Sequence, residues 1–175
     1  MKEILAFYHL QEALEEIGKE IRNNYQDLLI SPDERGFNRI ATGNLLNSVD
    51  FLVLRGNRNI WVELHLEDYW KYLEYGTQPH WPPVKKNSDG TIESPILDWI
   101  KIKPVLPRAI NGKLPTQEQL AYLIGRKISK EGTPAYMYLN KTIDSLNNWI
   151  SRKIEDAVTQ DLEEDVTFIF VKYFK

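Results

Sequence analysis

Val49-Asp50-Phe51-Leu52-Val53-Leu54-Arg55-Gly56-Asn57-Arg58-Asn59-Ile60-Trp61-Val62-Glu63-Leu64-His65-Leu66-Glu67 is two apolar runs around a four-residue turn. The second run alternates, with Val62, Leu64 and Leu66 on one face and Trp61, Glu63, His65 and Glu67 on the other. Period-two alternation flanking a Gly/Asn turn predicts an antiparallel hairpin over about residues 48–67. The first run is apolar on both faces, Phe51 and Val53 against Leu52 and Leu54, which predicts cover on both sides.

Long helical patterns flank this hairpin. Leu10, Leu14, Ile17, Ile21, Tyr25 and Leu28 recur at steps of three and four, predicting an amphipathic helix over about Glu3–Leu29 that stops at Ser31-Pro32. Thr42 or Asn44 can cap a single helical turn ahead of the hairpin. From Tyr136 onward, Leu139, Ile143, Leu146, Ile150, Ile154, Val158 and Leu162 predict a second long helix. The final run, Val166-Thr167-Phe168-Ile169-Phe170-Val171-Lys172-Tyr173-Phe174, is the strongest strand signal in the chain and is expected to pair with the hairpin or with another chain. The fold class expected is therefore α+β. A small antiparallel sheet, the hairpin plus a C-terminal strand at about 166–174, packs against long N- and C-terminal helices.

Between the hairpin and the second long helix the pattern is shorter and more broken. Tyr69–Tyr75 predicts one short helix with Gly76 as a left-handed cap. Ser94-Pro95 opens another, carrying Ile96, Leu97 and Ile100, which Pro104 stops. Thr116 and Gln119 form a capping-box pattern before a helix to about Glu131, with Leu120, Leu123, Ile124 and Ile128 inward and Gly132 at its end. Long irregular loops are expected at about 76–93 and 104–115. Gly-Thr recurs ahead of a proline, at Gly76 and Gly132, in a pattern too short to count as a repeat.

The chain has 175 residues, and one domain spanning 1–175 is expected. Folding at that size hides about 70% of the unfolded chain's surface. With 42% apolar and 27% charged residues, the composition is that of an ordinary globular protein. No run of about 18 apolar residues occurs, so no membrane span is expected. Met1-Lys2-Glu3-Ile4-Leu5 lacks the apolar core and cleavage site of a signal peptide. The absence of cysteine excludes disulfides and thiol chemistry. A net charge of −3 and scattered lysines and arginines argue against a dedicated nucleic-acid binder, but suit a passage through which nucleic acid slides with few phosphate contacts.

No catalytic constellation emerges. His9 falls in the first helix and is expected to be exposed. Glu63, His65 and Glu67 sit at alternate strand positions, where a solvated face is the expected reading over a metal site. Glu74 and His80 are candidates for an acid–base pair, outweighed by their aromatic and proline-rich setting. Asp161, Glu163, Glu164 and Asp165 read as a solvated turn at a helix end, without the spacing of a calcium loop. No catalytic residue, cofactor or metal is expected. The informative segment is Asp68–Pro83, where Trp70, Tyr75, His80 and Trp81 surround a Gly-Thr turn and Pro79, Pro82 and Pro83 stiffen the loop. With Trp99 these are the candidate interface residues, since rigid aromatics on loops anchor protein contacts.

The order of motifs resembles a known family. Thr42-Gly43-Asn44-Leu45-Leu46-Asn47-Ser48-Val49 is similar to the Thr-Gly-x-Leu-x-x-Ser-Ile/Val segment of tailed-phage minor tail components. Tyr69-Trp70-Lys71-Tyr72-Leu73-Glu74-Tyr75-Gly76-Thr77 resembles the family's Tyr-(Ala)-x-x-x-Glu-(Phe/Tyr)-Gly-Thr motif. Pro79–Pro83 followed by Ile96–Ile100, and Lys127–Leu139 with Gly132-Thr133-Pro134, resemble its proline-rich loop and its Gly-Thr stretch. The family is that of tail-completion, or head–tail joining, proteins, and the likeness covers about Leu5–Ile150. It implies a structural virion protein of the neck or tail, made in the host cytoplasm. Such a protein assembles as a ring homo-oligomer with other neck, connector and tail-tube proteins, with DNA passing through the lumen. The alternatives are a non-viral adaptor that binds one protein partner and a small metal-dependent enzyme.

Overall fold

A computed structural model describes residues 7–32, 42–56, 59–89, 92–103, 107, 109 and 112–173. Its elements, in chain order, are α1 (Tyr8–Ile30), α2 (Asn44–Ser48), β1 (Asp50–Arg55), β2 (Ile60–His65), α3 (Trp70–Tyr75), β3 (Lys85–Lys86), β4 (Ile92–Glu93), α4 (Pro95–Ile102), α5 (Gln117–Glu131) and α6 (Tyr138–Tyr173). The protein is thus a mixture of helices and antiparallel ribbons, with long helices near both ends. It divides into two compact units. One takes the described parts of Met1–Asn38, Leu45–Glu67 and Tyr138–Lys175, the other those of Arg39–Asn44 and Asp68–Met137.

In the first unit, α1 packs on both α6 and the hairpin. Ladder pairs run from Asp50↔His65 to Arg55↔Ile60, and Gly56 N–H closes the turn on the Asn59 carbonyl at 2.8 Å. Leu14, Ile17 and Ile21 of α1 are buried, with Val53, Ile60, Val62, Leu64, Leu146, Trp149, Ile150 and Ile154 packed round them. Each such aliphatic side chain contributes roughly 1.5–3 kcal/mol when fully buried. Phe51 reaches α1 where Gly18 leaves room: a Cβ there would lie 2.3 Å from the Phe51 ring. Among the described residues the outer hairpin face is not covered as its pattern predicted. Leu52 is 49% exposed and Trp61 40%.

Helices α1 and α6 lie antiparallel. Glu16 meets Lys153, while His9 meets Glu164 one end further on. Asp161 is buried rather than part of a solvated turn. Its carboxylate accepts from His9 N–H and Leu10 N–H, both at 2.9 Å. Phe7, the residue at the N-cap position of α1, supplies no side-chain cap, so Asp161 reaches across to satisfy two amides that the helix cannot pair itself. Negative charge is also favoured at that end of the helix dipole.

His9 is only partly exposed, and its ring nitrogen lies 3.0 Å from Glu164 Oε1. That bond raises the His9 pKa above the usual imidazole value, reinforced by the charge of Asp161 and opposed by burial. The contribution to stability is complete below the unfolded pKa of about 6.5 and disappears as pH rises through the folded value. An NMR titration of the His9 ring should therefore give a midpoint above that of an unfolded histidine, falling when Glu164 is changed to Gln; an unchanged midpoint in Glu164→Gln contradicts the assignment.

The C-terminal strand expected at 166–174 is not formed: α6 stays helical through Tyr173, and Phe174 lies outside the described residues. Extending an established helix needs no new nucleus. The strand preference of Val, Phe and Ile amounts to a scale of only about 1 kcal/mol and needs a ladder partner to be realised. Within the described residues the hairpin stays two-stranded. Of the stripe expected on α6, Leu139, Leu146, Ile150 and Ile154 pack against the core, whereas Ile143 and Leu162 are exposed. Tyr138, Thr142, Ala157 and Asp161 are buried on the same helix.

The second unit contains α3, α4, α5 and the β3–β4 ribbon, whose pairs are Lys85↔Glu93 and Lys86↔Ile92. The ribbon occupies part of the segment expected to be irregular, and half of the loop expected at 104–115 lies outside the described residues. The capping box forms as the pattern predicts: Gln119 N–H donates to Thr116 Oγ1, and Thr116 N–H to Gln119 Oε1. Of the positions expected inward on α5, Leu123 is exposed, and Gly125 is the residue that is fully buried.

The two Gly-Thr sequences, 56 residues apart, meet as one antiparallel bridge. Thr77 N–H donates to the Thr133 carbonyl at 3.1 Å, and Thr133 N–H returns a bond to Thr77 O at 3.2 Å. The two hydroxyls join at 3.0 Å. Gly76 and Gly132 end α3 and α5 and enter this clasp with φ +68°, ψ −166° and φ +71°, ψ −158°. Both have positive φ, but ψ places them outside the left-handed helical region expected for Gly76, in a region that essentially only glycine populates. Just after the clasp, Tyr136 N–H and Met137 N–H donate to the carbonyls of Leu73 and Glu74, serving the end of α3.

Candidate protein-interaction site

The clasp fixes where the proline-rich loop leaves α3. Gly76-Thr77 is tied to Gly132-Thr133 at the end of α5, so the chain that follows, Gln78–Val84, returns along α5. Trp81 comes to rest against Tyr122, with ring centroids 6.1 Å apart and planes tilted by 32°. Offset and tilted ring pairs at this distance are favourable beyond their buried area. Pro82 is buried, and its ring passes over Gly125, the interior glycine of α5. A Cβ at Gly125 would lie 3.7 Å from both Trp81 and Ile96 Cδ1, an ordinary contact distance.

These residues border an open groove of about 170 Å³. Trp81, Pro82 and Val84 form one wall, Ile96 and Leu97 of α4 another, and Ala121, Tyr122 and Gly125 of α5 the floor. Its polar members are Ser94 and Glu118. Glu118 sits in the first turn of α5, where its own backbone N–H, the Thr116 hydroxyl and, more weakly, Lys101 hold its pKa below the usual carboxylate value. Trp81 and Tyr122 are 59% and 60% exposed, an unusual state for two neighbouring large aromatics on one face.

Of the five candidate interface residues, Trp81 alone borders this groove. Trp70 and Tyr75 form their own pair on α3, at 6.1 Å and 54°. Trp99 lies on α4 opposite Leu97 and Ile100, its buried residues, and remains partly exposed. His80 is exposed and uses Nδ1 on the Gln78 carbonyl at 2.8 Å rather than on Glu74, which is buried at the end of α3. The acid–base pair considered from the sequence is therefore not assembled. His65 reaches Glu63 at 3.4 Å on the half-exposed strand face. Among the described residues no group of three or more His, Cys, Asp or Glu could hold a metal ion, and no helix is long and apolar enough to cross a membrane.

Sequence reasoning missed Tyr122, Glu118 and Gly125. A glycine inside an otherwise helical pattern was the available signal, because such a residue usually has a packing reason. Comparison with family models, curated proteins and solved structures finds no match for this chain.

Proposed function

We propose that the protein is a structural component of a phage neck or tail, closing into a ring that joins or completes the tail at the head–tail connector. The observation that carries this reading is that the described residues include at least two different exposed apolar surfaces, the outer hairpin face with Leu52 and Trp61 and the Trp81–Tyr122 face. A ring of identical subunits needs such a pair, because its interface is heterologous: one patch of each copy meets the other patch of the next. Aromatic anchors in exposed, stiff settings supply the contact energy. The motif order resembling the tail-completion family adds the neck as its place, with neighbouring connector and tail-tube proteins as partners and DNA in the lumen.

Electron microscopy and native mass spectrometry of the purified chain test it. Closed rings are expected, and Trp81→Ala and Leu52→Asp are each expected to abolish them while keeping native helicity by circular dichroism. Mixed together, the two variants retain one intact patch pair and should form a dimer and nothing larger. A wild-type chain that remains monomeric, or rings indifferent to both changes, would overturn the proposal.

A further inference from the structure

We propose that the outer edge of β2 pairs with the same edge of a second copy, antiparallel and centred on Val62, joining two hairpins into one four-stranded sheet. This contact goes beyond the ring reading: it uses the edge of the hairpin, whereas the ring uses its outer face. Three observations carry it.

The first is an open row of backbone groups. Gly56 N–H bonds to the Asn59 carbonyl, and the ladder runs on from Arg55↔Ile60 to Asp50↔His65. In an antiparallel pair the bonded positions alternate. Leu54 and Trp61, Leu52 and Glu63, and Asp50 and His65 therefore exchange the hairpin's own bonds. The amides and carbonyls of Ile60, Val62 and Leu64 point away from β1. Among the described residues none of these groups has a hydrogen-bond partner, and β2 packs mainly on β1 and α1. Such an edge is a template for another strand.

The second is the contrast between the two edges. On β1 the Phe51 N–H is taken by the carboxylate of its neighbour Asp50 at 2.9 Å. A filled amide and a charge at the edge both discourage pairing. Strand β2 has no such protection: Ile60–His65 contains no proline or lysine, and its ladder has no bulge.

The third is register. Centred on Val62, the pairing sets Val62 against its counterpart, Ile60 against the second copy's Leu64, and Trp61 against its Glu63. Ile60, Val62 and Leu64 become the bonded positions, so the open groups of one edge meet those of the other. Apolar side chains face apolar ones on the α1 side, and no like charges stand opposite each other. A centre at Glu63 would set two glutamates together, and a centre at Trp61 would leave Leu64 opposite the turn. So short a contact holds two single copies with a dissociation constant of only about 0.1–1 mM.

Sedimentation velocity of the full-length Trp81→Ala variant, with the ring contact removed, isolates the edge. It is expected to be monomeric at the micromolar concentrations of the ring test and reversibly dimeric at millimolar concentration. Val62→Pro removes the central donor, whose N–H points away from the hairpin's own ladder, and should weaken the dimer at least about tenfold. Val62 also packs against the core, so a second pair of variants stands beside it. Trp61→Glu sets a glutamate against Glu63 on both sides of the axis and should weaken the dimer about tenfold; adding Glu63→Lys restores opposite charges and should recover it. Circular dichroism should be unchanged in both. The proposal is overturned if no dimer forms at millimolar concentration, or if the dimer is indifferent to Trp61→Glu, which would place the contact elsewhere. It is likewise overturned if Glu63→Lys brings no recovery. Rings without a millimolar dimer remove this inference and leave the ring; a dimer that responds as stated, from a chain that forms no ring, does the reverse.

Discussion

Gly132→Ala should cost the second unit at least about 3 kcal/mol. Two effects add. A non-glycine residue held at φ +71°, ψ −158° carries about 1–3 kcal/mol of backbone strain. The new Cβ would also stand 1.9 Å from the Thr77 carbonyl oxygen and 3.0 Å from its carbon. These are backbone atoms held by the reciprocal Thr77–Thr133 bonds, so relief means opening the bridge. Opening it frees the Trp81 loop from the end of α5. Gly112→Ala is the control. Gly112 also has positive φ, +74°, but a Cβ there meets nothing within 4 Å, so the expected loss is only about 1 kcal/mol. Chemical denaturation of the two variants, followed by tryptophan fluorescence, makes the comparison. Equal losses at Gly132 and Gly112 would show that the clasp is not what holds the loop.

Asp161→Ala carries the second large effect, about 2 kcal/mol on the first unit. The substitution leaves the amides of His9 and Leu10 without their acceptor at a partly buried helix end. Loss of a helix N-cap costs about 0.5–2 kcal/mol, and hydrogen bonds to a charged group lie at about 1.5–3 kcal/mol each. Asp161→Asn keeps one acceptor oxygen and should lose about half as much. Hydrogen exchange locates the effect: protection of the His9 and Leu10 amides should fall in Asp161→Ala ahead of the Ile17 and Ile21 amides. A uniform fall across α1 would indicate general destabilisation instead of a lost cap.

The elements with a repeating pattern were legible in the sequence. The hairpin register follows from the alternation of Val62, Leu64 and their partners. The buried face of α1 follows from Leu14, Ile17, Ile21 and Tyr25, and the start of α5 from the Thr116–Gln119 pair. Each depends on neighbours a few residues away, and local chemistry alone determines it. The strand expected at 166–174 was misread for the converse reason. Aromatic and β-branched residues state a preference, but whether it is met depends on a partner strand, and α6 continues through Val171 instead.

Within the candidate site, Trp81 was identifiable because prolines on either side of it forbid regular structure. Tyr122 and Glu118 were not, because on α5 they read as ordinary exposed helical positions. The sequence by itself determined the helices, the hairpin and the stiff aromatic loop. Only the tertiary structure decided that two Gly-Thr pairs, 56 residues apart, close on each other and set that loop against α5. The physical reason is range: helix and turn propensities act over a few residues, whereas the clasp joins groups whose proximity exists only once the chain between them has folded.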